Sequence, residues 1–168
     1  MGGFSVIVLI SILLFIYLFF IAVFVAVVLY IIMSYTFQGI SIMCMCKNMG
    51  YKNTFTAWIP FYNKYLLGKI AGNKIMGGIS GILSFIAICL GTRLYINKKL
   101  EIVLFIILVI SLIITFILDT MIAHRIYKSR ANKYGDILTV FNILSLGLLR
   151  PIFLFIIRNK KEQCFIKQ

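Results

Sequence analysis

No residue before Lys47 carries a charge, and residues 4–33 are almost wholly Ile, Leu, Val, Phe, Tyr and Ala. A helix of about 20 apolar residues crosses the roughly 30 Å hydrocarbon core of a bilayer, so this run alone exceeds what a soluble fold can bury in one element. It is not patterned as a signal peptide. It has no basic lead-in, and it is about twice the length of a signal peptide's apolar core. Gly2 is followed by Val6 where an N-myristoylation site needs Ser or Thr. The first constraint is therefore a retained membrane helix.

Three further runs follow. Residues 75–96 are uncharged as far as Thr92. Residues 102–123 hold Asp119 as their one acid, and residues 137–157 are cut by Arg150-Pro151. None alternates polar and apolar residues as a barrel strand would. The expectation is an all-α polytopic membrane protein with about four transmembrane helices, over 4–33, 75–96, 102–123 and 137–157. An interfacial segment at 38–72 lies between the first and second. Only 12% of residues are charged and 62% are hydrophobic, against about a quarter and about half in soluble domains. No polar stretch is long enough for a second domain, so residues 1–168 read as one integral membrane domain.

The formal charge of +13 comes from 17 Lys and Arg against 4 Asp and Glu. In a soluble chain that excess would point to nucleic acid. Here the basic residues gather at the ends of the spans, where they set topology and contact anionic headgroups. The expected partners are the lipid bilayer, its anionic headgroups, and another membrane protein or a second copy of the chain, with no nucleic acid. The expected location is the cell membrane. Four crossings with the N-terminus outside put the first loop (Lys47, Lys52, Lys64, Lys69, Lys74) and the third (Arg125, Lys128, Arg130, Lys133) inside. The second loop (Arg93, Lys98, Lys99) and the tail (Arg158, Lys160, Lys161, Lys167) are then outside. That is nine basic residues against seven. If residues 137–157 turn back instead, the tail joins the inside and the bias becomes thirteen against three. The positive-inside rule favours the second arrangement, while the length of the run favours a fourth crossing.

The first loop is out of character with its surroundings. Within residues 56–72 it gathers the one tryptophan, one of two prolines, and several rings and lysines. Pro60 suits the first turn of a short helix, and Gly72 suits its end. Trp58, Pro60, Tyr62, Asn63, Lys64, Tyr65 and Lys69 read as an interfacial anchor. The residues Trp58, Ile59, Pro60, Asn63, Leu66, Leu67, Lys69, Ile70, Ala71 and Gly72, after a basic lead-in at residues 47–53, resemble an uncharacterised family of small multi-pass bacterial membrane proteins. That family's loop reads Trp-Ile-Pro-x-x-Asn, then Lys-Ile-Ala-Gly. The resemblance covers about a sixth of the chain and implies a fold and a location. Some members are labelled signal-peptidase-like, but spacing assigns no Ser–Lys dyad here.

Two features belong to packing. Gly77 and Gly81 form a G-x-x-x-G pair, continued by Ser80 and Ser84, and small strips of this kind let helix backbones approach closely in lipid. Asp119, Asn142 and Arg150 are the intramembrane polar residues. Asp119 is expected to pair with Lys74 or Asn142, and Arg150 to snorkel. Cys44 and Cys46 lie among methionines, a soft set suited to Cu(I), yet such residues are ordinary apolar filler. No metal site and no cofactor are implied. The H-E-x-x-H, G-x-S-x-G and phosphate-cradling motifs are missing from the sequence. The expected function is non-enzymatic, exerted through helix packing and through lipid or partner contacts. A bacteriocin-type immunity protein, a transporter accessory subunit, a membrane-embedded enzyme and a holin-like pore are the alternatives.

Overall fold

The computed structural model describes residues 2–97 and 102–160. Lys98, Lys99, Lys161 and Lys167, used in the charge count, lie outside them. The chain is all-α, with six α-helices among the described residues. They are α1 (Gly2–Asn48), α2 (Tyr62–Ile70), α3 (Lys74–Asn97), α4 (Ile102–Ala131), α5 (Gly135–Leu144) and α6 (Arg150–Ile157). Short 3₁₀ turns at Phe55–Trp58 and Asn132–Tyr134 join them. Three helices are long and apolar enough to cross a membrane, those starting at Val8, Lys74 and Ile102.

The chain divides between Thr36 and Phe37 into two units. In the first, every side chain over residues 8–33 is exposed. A helix apolar on all faces belongs in a protein core or a membrane span, and this one is long and apolar enough to cross a membrane. The helix does not stop at residue 33 as the run of Ile and Val suggested. It continues to Asn48, taking in the start of the expected interfacial segment. Gly50 ends it, with φ +77°, while Tyr51 N–H donates to Cys46 O at 3.0 Å. This closure uses the left-handed conformation glycine adopts at least cost.

The second unit holds the core. Ile42, Met45 and Cys46 from the end of α1 pack with Leu66, Leu67 and Ile70 of α2, Ile122, Ile126 and Tyr127 of α4, and Leu154 and Ile157 of α6. Within it α2 lies antiparallel against α3. A Cβ added at Gly68 would stand 2.5 Å from Gly77 Cα, and one at Gly81 would stand 3.0 Å from Phe61 O. The two helices therefore touch backbone to backbone. Gly72 (φ +79°) makes the turn between them, and Asn73 Oδ1 caps α3 by accepting from Met76 N–H at 3.1 Å.

Residues 137–157, expected as a fourth crossing, are two short helices that fold back along α4. Going down α5, Gly135 lies against the Lys128 backbone. His124 Nδ1 is 2.9 Å from Thr139 Oγ1, and Gly147 faces the Phe116 ring. Coming back along α6, Arg150 meets Asp119, the Phe153 ring meets Tyr127, and Lys160 O accepts from Arg130 Nη1 at 2.8 Å. The turn at residues 145–149 thus sits level with the middle of α4, and Lys160 returns to the level of its C-terminal end. Leu146 (φ +51°) and Gly147 (φ +83°) reverse the chain, and Pro151 opens α6, where its missing N–H costs nothing.

Candidate functional site

The polar residues of α2, α3, α4 and α6 converge on Asp119. Its Oδ2 is 2.9 Å from Lys64 Nζ and 2.8 Å from Arg150 Nη1. Its Oδ1 accepts from Ser80 Oγ. Lys64 Nζ also donates to Ser84 Oγ, and Ser84 Oγ in turn donates to Ser80 O at 2.8 Å. The three charged side chains retain only 19%, 15% and 10% of their full exposure for Lys64, Asp119 and Arg150. Charges this far from solvent are held only by partners, since an isolated ion costs several kcal/mol to bury.

The fold explains why these residues meet. Lys64 enters because α2 runs along α3 rather than away from it, and the Gly68–Gly77 contact brings its stem within reach. Gly77 and Gly81 of the small strip face α2, while Ser80 and Ser84 on the same strip carry the hydroxyls to Asp119 and Lys64. Arg150 enters because the hairpin of α5 and α6 turns at the depth of Asp119. By rise per residue the cluster lies about 9–18 Å from the helix ends at Lys74 and Ala131.

Several expectations are revised by this geometry. Asp119 pairs with Lys64 and Arg150, not with Lys74. Asn142 reaches the same place without bonding to it. Arg150 forms a buried ion pair, because the turn before α6 carries it inward. Of the residues read as headgroup anchors, Lys64 points into the cluster. Lys69 lies over the Tyr51 ring at 3.9 Å, and the Tyr62 and Tyr65 rings lie tilted at 41° with centroids 5.4 Å apart. The Trp58 ring would meet a Cβ placed on Gly39 at 3.1 Å. Asn63 is buried. Pro60 precedes a tight turn in which Tyr62 N–H donates to Pro60 O at 2.8 Å and Phe61 takes φ +66°. That is a strained conformation for a residue with a side chain.

A cavity of about 170 Å³ opens beside the cluster, lined by Phe116, Asp119, Asn142, Leu146, Gly147 and Arg150. Asn142 is 1% exposed and Arg150 is 8% exposed. Asn142 Oδ1 and the Nε and Nη2 atoms of Arg150 are buried without a hydrogen-bond partner. A second, apolar groove of about 460 Å³ runs between α2 and α3, lined by Phe61, Tyr65, Gly81 and Phe85 among others.

Spacing did not bring a serine to a base, but the fold does, since Ser84 touches Lys64. Lys64 Nζ is shared between Ser84 Oγ and Asp119 Oδ2, and Ser84 Oγ itself donates to Ser80 O. Among the described residues no group of three His, Cys, Asp or Glu is placed to hold a metal. In comparisons with known proteins, no family model, no curated protein and no solved structure matches the chain.

Proposed function

We propose that this chain is a non-enzymatic, multi-pass component of the cell membrane. In this reading it crosses the bilayer with α1, α3 and α4, and it carries two re-entrant pieces, α2 and the hairpin of α5 and α6. The pieces meet at Asp119, where they build a polar centre within the apolar layer that engages a lipid or a membrane partner. The observation that carries this is the Asp119 centre itself. Non-spanning backbone at membrane depth is tolerated only where protein or a polar cavity satisfies it, and intramembrane charges that pair with one another mark functional paths or binding sites. The resemblance of the loop at residues 58–72 to small bacterial membrane proteins belongs to the same proposal. Immunity to a membrane-active peptide and service as a transporter subunit are its concrete forms.

Re-entry makes the charge distribution consistent. With Lys64 and Arg150 placed in the polar centre, the first loop, the third loop and the tail then share the inner side, with twelve basic residues against three. The test is a set of reporter fusions after Asn48, Ala131 and Lys160. All three are expected to read as cytoplasmic, and a periplasmic reading after Lys160 restores the fourth crossing and removes this topology.

The Ser84–Lys64 contact favours a second reading, a membrane-embedded serine hydrolase. It would be supported by labelling with a fluorophosphonate that Ser84→Ala abolishes. In the proposed reading the wild type takes no such label. Liposome leakage by the reconstituted protein would favour a pore instead.

A further inference from the structure

Arg150 uses one corner of its guanidinium and leaves a whole edge idle. Nη1 is engaged by Asp119. Nε and Nη2 are both buried and unpartnered. These two nitrogens carry parallel N–H groups on the same side of the planar fork, the pair that binds a carboxylate or phosphate bidentately. A single idle donor is an ordinary imperfection. An idle bidentate edge, on a side chain 8% exposed that lines a cavity, has the geometry to match two oxygens of one group. Leaving it empty costs the desolvation of both donors.

Two further observations agree on the sign and shape of the occupant. Lys64 and Arg150 face the single carboxylate of Asp119, so the cluster carries one excess positive charge. Asn142 lines the same cavity, and its Oδ1 is a buried acceptor without a donor. An oxyanion that also bears a hydroxyl satisfies both. We propose that this cavity binds a phosphate-type oxyanion, taken either from an anionic lipid headgroup or from free phosphate, with Arg150 as its bidentate anchor. The proposal rests on the membrane-embedded reading above and names the ligand class of its polar centre.

The full-length protein tests it in two arms. In detergent, the thermal unfolding midpoint is compared in sodium phosphate and in sodium chloride at equal ionic strength. In nanodiscs of mixed phosphatidylglycerol and phosphatidylcholine, native mass spectrometry reads which lipid stays bound. A phosphate-dependent rise alone identifies the free ion as ligand. Retention of phosphatidylglycerol alone identifies the headgroup, and both together support a site open to either. Arg150→Lys keeps the charge and removes the fork, and is expected to weaken the retained species about tenfold, as for the loss of a charge-assisted hydrogen bond. Asn142→Asp places a tethered carboxylate in the cavity and is expected to weaken it comparably by competition, which keeps the test decisive should Arg150→Lys fail to fold. A wild type with neither response overturns the proposal and leaves the cavity to water. So does anion binding that both folded variants preserve, which would belong to surface lysines. Reporter topology is read independently of either arm, so failure here does not touch the membrane assignment.

Discussion

At the scale of single residues, Asp119 sets the terms. It was legible in the sequence as the one acid inside an apolar run, and its cost in lipid made a partner necessary. Its partners were not legible. Lys64 lies 55 residues away in a segment that reads as a headgroup anchor, and the cation–aromatic composition of that segment says nothing about which lysine turns inward. Arg150 was legible as an anomaly but its destination was not, because a snorkelling and an ion-paired arginine have the same sequence. Replacing Asp119 by Asn removes the charge that holds both cations while keeping the shape. The expected loss is about 3–5 kcal/mol of stability, the usual consequence of breaking a buried ion pair from one side. A melting curve in detergent measures it, and an unchanged midpoint would mean that the cluster is solvated.

At the scale of elements, glycine positions decide how close the helices come. A Cβ on Gly77 would stand 2.6 Å from Lys64 O and 2.8 Å from Gly68 Cα, both backbone neighbours that cannot swing away. Gly78 is adjacent in sequence, yet its nearest neighbour would be Tyr65 Cδ2 at 3.9 Å. Gly77→Ala is expected to lower stability by about 1–3 kcal/mol through overpacking. Gly78→Ala should be neutral or slightly stabilising, by up to about 1 kcal/mol from helix propensity. The comparison is made by thermal unfolding of the two purified variants side by side, and equal losses would contradict the backbone contact. A G-x-x-x-G strip announces close approach. It does not announce α2 as the helix that approaches, because a nine-residue helix is too short to read as a membrane element.

For the whole molecule, the division between Thr36 and Phe37 carries a consequence. The buried apolar cluster begins at Ile42 and draws no residue from the first unit. A chain beginning near residue 34 should therefore keep the unfolding midpoint of the core, within the about 0.5 kcal/mol typical of changes away from packed sites. The check is a melt of the truncated protein followed through the buried Tyr127. Loss of the folded transition would show that residues 2–33 support the core after all.

The sequence by itself determined the helical fold and the runs long and apolar enough to cross a membrane. Transfer of apolar side chains from water is additive along the chain, so uncharged runs of membrane length need no tertiary information to be read. It also marked Asp119, Arg150 and the strip at residues 77–84 as places where lipid alone would not suffice. Only the tertiary structure decided that α2 lies along α3, that residues 137–157 turn back along α4, and that Lys64, Asp119 and Arg150 form one centre. Those outcomes depend on pairing between segments far apart in the chain. Pairing is set by backbone contact at particular glycines and by the mutual neutralisation of buried charges, and neither names its partner segment in the local sequence.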